Sequence, residues 1–252
     1  MRTLAIANMK GGSGKTTTAL NLAAGLAAAG HQVLLIDCDP QASLTRAVLP
    51  EYAGATLADV LGGAAPGRLG LAEIIQPTAA GFALAPAGLD LATCELLLVG
   101  RMGREIVLRR AVAALPQDAY HLVLFDCPPS LGLLAVGALV ASDAVIIPSR
   151  PEALDLRAVQ IFLQALAAIR AELAPGLDLL GVVLTQFDRR TRLHAAAADM
   201  LRGAGLQVLA TIDRSITAAR STGAGQPITA GKLAEQYNEL TREVQQWLTK
   251  NP

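Results

Sequence analysis

Aromatic residues are scarce. They make up 3% of a 252-residue chain in which apolar residues reach 52%. A core of that composition rests on Ala, Leu, Val and Ile, which suits helices packed on a parallel sheet. Cysteine is also scarce: Cys38, Cys94 and Cys127 are the full set. That is too few for a disulfide framework, and neither a C-x-x-C pair nor a Cys/His zinc spacing occurs. No apolar run is long enough to span a bilayer. The stretch 1–8 is too short for a secretory leader before a glycine loop interrupts it. The formal net charge is zero, so composition alone does not mark a nucleic-acid binder. Repeats, low-complexity tracts and linkers are lacking. The length suits a single α/β domain over 1–252, and the expected location is cytoplasmic.

Only four lysines occur, and two of them, Lys10 and Lys15, fall in residues 10–17, Lys-Gly-Gly-Ser-Gly-Lys-Thr-Thr. An apolar run precedes this stretch and helix formers follow it, so it reads as strand, glycine loop, helix. Gly11, Gly12 and Gly14 let the backbone turn around Ser13 and point its N–H groups inward. The helix start adds its positive end. Such a loop cradles phosphates. Lys15 supplies a charge for the β- and γ-phosphates, Thr16 a hydroxyl for Mg²⁺, and Thr17 a further contact. The strict pattern G-x-x-x-x-G-K-[ST] fails at its first glycine, where Met9 stands.

Further strands are expected over 2–8, 32–37, 81–85, 121–126, 143–148, 178–186 and 207–211. Helices are expected over 16–29, 56–61, 69–75, 101–115, 153–173, 195–203 and 232–248. Strands alternating with helices predict a doubly wound, mostly parallel sheet flanked by helices. The strand over 32–37 ends in Asp37 and runs into Asp39. The strand over 121–126 ends in Asp126. Carboxylates at the C-terminal ends of strands lie where open α/β sheets place ligands. The pair Asp37 and Asp39 would equally serve to cap the next turn. Arg101, Arg104, Arg109 and Arg110 read as a solvated face, paired in part with Glu105.

K-G-G-x-G-K-[ST] near the start resembles the deviant Walker A box of the ParA/MinD family of P-loop ATPases. That resemblance implies ATP and Mg²⁺ as cofactors. It also implies a homodimer in which Lys10 reaches the ATP held by the other subunit. Residues 37–45, D-C-D-P-Q-A-S-L-T, are similar to the family's D-x-D-P-Q-x-x-x-T. By that likeness Asp39 positions the attacking water and Asp37 belongs to the Mg²⁺ surroundings. Residues 126–134, D-C-P-P-S-L-G-L-L, resemble the ParA Walker B box, where Asp126 holds Mg²⁺ through its water shell. Gly137 stands where ParA proteins often carry Asn. Lys10, Lys15 and Asp39 are the implied catalytic set.

The C-terminal third adds two likenesses. Residues 187–191, F-D-R-R-T, resemble the family's D-x-R-T, which places Arg190 on a DNA-binding arginine. Residues 211–227 resemble a segment that runs I-P-R-N and ends G-x-P. Here Asp213 and Ser215 replace the proline and asparagine that contact adenine, so backbone around 212–215 is the alternative holder of the base. Thr217 takes the family's second basic position. Arg214 and Arg220 each lie three residues away, about one turn if the segment is helical, and either could supply the charge. From Arg189 to Lys232 seven basic residues stand against two acids.

The resemblance implies a partition ATPase. ATP closes the dimer, the dimer binds DNA without sequence preference at the nucleoid, and a ParB-like centromere-binding protein stimulates hydrolysis. Without a helix-turn-helix segment before the Walker A box, operator-specific repression is not expected. The same switch could position a protein assembly. A MinD-like membrane switch needs a basic amphipathic end. Over 235–252, Tyr237, Leu240, Val244, Trp247 and Leu248 share one face, opposed by Glu235, Glu239 and Glu243 beside Arg242 and Lys250. That stripe reads as a helix packed on its own domain, and the acids oppose anionic lipid. An ATP-dependent ligase is the remaining enzymatic alternative.

Overall fold

The computed structural model describes residues 1–62 and 69–250. Its centre is one eight-stranded sheet. The strands are β1 (Arg2–Ile6), β2 (Val33–Asp37), β3 (Gln76–Pro77), β4 (Ala83–Ala85), β5 (Leu122–Asp126), β6 (Ala144–Ser149), β7 (Asp178–Phe187) and β8 (Val208–Asp213). Their order across the sheet is β3-β4-β2-β5-β1-β6-β7-β8. All neighbours are parallel except β3 and β4. Parallel strands covered on both faces are apolar at every position, and β2 and β5 are buried throughout.

Alternation sorts the side chains into two layers. Leu4 and Ile6 of β1 and Leu122 and Leu124 of β5 face one side. There they meet α1 (Lys15–Ala28) and α11 (Gly231–Lys250), which pack on each other. Ala5, Val123 and Phe125 face the other side. That layer includes α5 (Asp90–Leu98), α6 (Val107–Ala113), α7 (Leu133–Val140) and α8 (Ala153–Glu172). The apolar stripe expected at the chain's end is used in this packing. Tyr237, Leu240, Val244 and Trp247 are buried in α11, while 251 and 252 lie outside the described residues. Among the described residues, no helix is long and apolar enough to cross a membrane.

Three expectations are corrected. The helix expected over 101–115 is broken: Gly103 takes φ 68°, a 3-10 turn covers Arg104–Ile106, and α6 begins only at Val107. Its arginines are not simply a solvated face, because Arg101 donates to the carbonyl of Leu61. The helix expected over 195–203 begins three residues earlier, as α9 (Arg192–Gly203). Arg214 is not one helical turn from Thr217. It precedes α10 (Ile216–Gly223), so only Arg220 shares that helix. Four further helices, α2 (Ser43–Val48), α5, α7 and α10, have no counterpart in the expected set.

Candidate active site

The loop from Met9 to Gly14 leaves the C-terminal end of β1 and enters α1. Gly12 and Gly14 have φ of 71° and 86°, a region in which other residues are strained. A Cβ on Gly14 would also press on Thr185 Cγ2 at 3.2 Å. The loop is held from outside by side chains that sequence reading missed. Thr185 Oγ1 donates to the Ser13 carbonyl at 2.8 Å, and Gln186 Nε2 donates to the Gly12 carbonyl at 2.9 Å. Asn8 accepts from Lys10 N–H at 3.0 Å and donates to the Pro148 carbonyl at 2.7 Å. Thr185 and Gln186 belong to β7, which β6 separates from β1 in the sheet, a tertiary fact with no local signature, whereas Asn8 immediately precedes the loop. Gln186 makes its bond at φ 52°, a left-handed conformation that costs a non-glycine residue.

Parallel register brings the carboxylates together. Asp37 ends β2, Asp126 ends β5, and the two are register partners. Asp37 is tied down: Thr45 donates to it through its N–H at 3.0 Å and its hydroxyl at 2.7 Å, and Asp39 N–H donates at 3.1 Å. Burial still pushes its carboxyl up, to about 6, against those hydrogen bonds. Asp126 is more exposed to conflict. Both of its oxygens are buried without a hydrogen bond of ordinary geometry. Burial and then the Asp37 charge drive its carboxyl well above the usual range, while Thr16 and Lys15 act in the opposite sense. Lys15 is buried beside them, and its Nζ donates to the Lys10 carbonyl at 3.1 Å. Burial lowers its pKa, and Asp126 is the largest opposing influence.

Two adjoining buried carboxylates with unfilled lone pairs call for a cation, and the donors Thr16, Asp37 and Asp126 are all oxygen. That set fits Mg²⁺, which takes a few protein oxygens and completes its shell with water and phosphate. Among the described residues no cluster of three or more His, Cys, Asp or Glu forms a complete metal cage. A partial protein shell that substrate phosphates complete is what a phosphoryl-transfer site requires.

A cleft of about 520 Å³ adjoins the loop, lined by Gly14, Thr17, Thr185, Asp213, Ser215 and Tyr237 among others. Both residues expected to meet the base are present in it, but neither side chain is free. Ser215 Oγ accepts from Thr217 N–H at 3.0 Å and so caps α10. The Asp213 carboxylate is taken by Arg189 and Lys232. Asp39 folds its carboxylate onto Gln41 N–H at 2.9 Å, and Ala42 follows at φ 50°. Cys38 and Cys127 are buried next to the two site aspartates, and burial raises both thiols well above their ordinary range.

A strand, a glycine loop and a helix start, faced by carboxylates from two neighbouring parallel strands, define a P-loop nucleoside triphosphatase. The family profile described as an AAA domain matches residues 1–179. The chain is 38% identical to the chromosome partitioning protein ParA of Caulobacter vibrioides, over 97% of this chain and 94% of that one. It is 36% identical to the sporulation initiation inhibitor protein Soj of Bacillus subtilis, over 96% and 97%. A solved structure from Mycobacterium smegmatis, named cobyrinic acid a,c-diamide synthase and bound to an ATP analog and magnesium, has a TM-score of 0.85. It is 35% identical, over 100% of this chain and 97% of that one. The chain belongs to the ParA family of P-loop ATPases.

Proposed function

We propose that the chain is an ATP-dependent dimerising switch that binds DNA without sequence preference and drives partition of a chromosome or plasmid. ATP and Mg²⁺ are its cofactors. Bound Mg²⁺ would neutralise charge on the β- and γ-phosphates. The chain's own groups do the rest. Gly11, Gly12, Ser13 and Gly14 offer backbone N–H groups, Lys15 fixes the phosphates, and Thr16, Asp37 and Asp126 hold the ion's protein side. Thr17 contacts phosphate, and the backbone around Asp213 and Ser215 holds the base. Asp39 positions the attacking water, and Lys10 serves the partner subunit's nucleotide. A ParB-like protein stimulates hydrolysis, and the location is cytoplasmic at the nucleoid.

The observation that carries this reading is α10. Thr222 Oγ1 on that helix donates to Thr17 Oγ1 of the phosphate loop at 3.0 Å. The same helix carries Arg220, with Arg214 just before it and the exposed Arg190 on the loop after β7. Phosphate loop and basic surface are thus one hydrogen bond apart. Arg190, Arg214 and Arg220 are the DNA contacts. The test is an electrophoretic shift of unrelated DNA duplexes with ATP, with ADP and without nucleotide, at stated salt. Retardation with ATP only, equal across sequences, supports the reading. Equal retardation in all three states refutes the switch.

A second reading is favoured by one observation, the name of the M. smegmatis structure. Turnover of ATP that rises with cobyrinic acid and an ammonia donor, and not with DNA, would select it. The positioning of a protein assembly uses the same switch and separates from partition by the identity of the stimulating partner.

A further inference from the structure

A second cleft, of about 430 Å³, meets the base cleft at Asp213 and Arg214, which line both. Arg189, Arg190 and Lys232 complete its cations, and Asp188 is its other acid. Asp188 is already engaged, in a two-pronged pair with Arg190. Asp213 is engaged differently. Arg189 Nε donates to its Oδ1 at 2.9 Å and Lys232 Nζ to its Oδ2 at 2.6 Å. The two cations come from separate elements, the loop after β7 and the start of α11. Asp213 itself is fixed, because its N–H donates to Gln236 Oε1 at 2.9 Å. Its side chain is 20% exposed, whereas Arg189 and Lys232 are 53% and 64% exposed.

Two outward cations therefore converge on the two oxygens of one inward carboxylate. A phosphodiester offers the same two oxygens with the same charge, and charge-assisted pairs of this kind are strong. Arg214, in the same cleft, makes no ion pair among the described residues. We infer that this cleft seats a backbone phosphate of duplex DNA on Arg189 and Lys232, and that Asp213 is a built-in competitor that holds its affinity down. The inference rests on the DNA reading above and names contacts beyond Arg190, Arg214 and Arg220. Phosphate is favoured over a lipid surface because the one large apolar residue of the lining, Phe187, is buried.

The experiment is a salt series of duplex DNA titrations by fluorescence polarisation. Each variant is held at an ATP concentration that its own ATP titration shows to be saturating. Asp213→Asn should tighten binding and steepen the plot of log affinity against log salt by about 0.9 for each freed cation. That is roughly a 3.5-fold larger loss per cation between 50 and 200 mM salt. Adding Arg189→Ala and Lys232→Met should return the slope to that of the wild type. If Asp213→Asn no longer binds ATP, Asp213→Ser carries the test, with the same steepening expected. An unchanged slope in these variants, beside a flattened one in Arg190→Ala, overturns the inference and leaves the DNA reading standing. No ATP-dependent binding by the wild type overturns both. Tightening of Asp213→Asn on phosphatidylglycerol vesicles but not on DNA overturns the DNA assignment.

Discussion

Metal-free protein should lose stability as the pH rises from 4 to 7, and Asp37 accounts for a measurable share. Its carboxyl titrates near 6 in the fold, against an ordinary value of 3.8. Burial is the leading cause, and the hydrogen bonds from Thr45 and Asp39 offset only part of it. Between those two values the folded chain holds a proton that the unfolded chain has released. The penalty is absent below the lower value, grows through the window, and is complete above the upper one. A difference of about two pK units corresponds to roughly 3 kcal/mol. For a chain of this size that is about 6–12 °C in Tm. The assay is urea unfolding in EDTA across pH 4.5–7.5, for the wild type and Asp37→Asn. Asn cannot titrate, so the stability difference between the two should shift by about 2 kcal/mol in the variant's favour across that range, the other ~1 kcal/mol having already been lost below pH 4.5. Asp126 does not cancel in that difference, because the Asp37 charge helps to raise its carboxyl; the same comparison in an Asp126→Asn background isolates Asp37, and the remaining groups cancel to first order. A constant offset across the window would show that the buried carboxyl is not strained, and the argument for a cation at that place would fall with it.

Other substitutions probe neighbouring parts. Lys15→Ala should abolish ATP binding, whereas Lys10→Ala should spare binding by the monomer but lose the ATP dimer; titration with sedimentation checks the pair, and a dimer of the Lys10 variant would remove its cross-subunit role. Gly137→Ala should stabilise by about 0.5–1 kcal/mol in urea unfolding, because it sits inside α7 and a Cβ there would meet its nearest neighbour at 3.8 Å. Gly225→Ala should cost about 3 kcal/mol, since a Cβ would lie 2.1 Å from the Ala47 carbonyl at φ 63°; a Tm within a degree of wild type would show that α10 is loosely seated. Ala42→Gly should raise Tm slightly, by releasing a left-handed alanine at φ 50° beside Asp39.

What could be read from the residues alone follows burial. The strands that end at the site are buried and mostly apolar, so β1, β2, β5 and β6 stand out as runs, and the carboxylates that end β2 and β5 come with them. The helix α5 was illegible for the opposite reason. Leu89, Leu96, Leu97, Val99 and Met102 in and around it are exposed, so its apolar residues form no single stripe. Strand β3 was hidden by brevity, since it has two residues and one is Pro77, while β4 falls within the strand expected over 81–85. Asp39, Asp126 and Lys15 could be placed by spacing within short motifs. Thr185 and Gln186 could not, because they act on the loop from a strand far away in sequence, and Asn8 could not because its second partner, the Pro148 carbonyl, is set by the fold. The ion pairs of Asp213 could not be read either, because its partners, Arg189 and Lys232, are set by the fold.

Those hydrogen bonds from Asn8, Thr185 and Gln186 bear on how the nucleotide arrives. A glycine-rich loop left to itself would sample many shapes, and an incoming phosphate would have to freeze one of them. Here the shape is already held by strands of the sheet, so little conformational entropy remains to be lost at the loop when ligand binds. Association need not wait for the cradle to form, and the heat released on binding reports phosphate contacts rather than loop ordering. More of the nucleotide's intrinsic binding energy is then left for rearrangement elsewhere. Outside the sheet, the cradle's end is touched by α10, whose Thr222 bonds to Thr17. In the switch proposed above, a rigid receptor for the phosphates is the condition for a mechanical response at the surface beyond them.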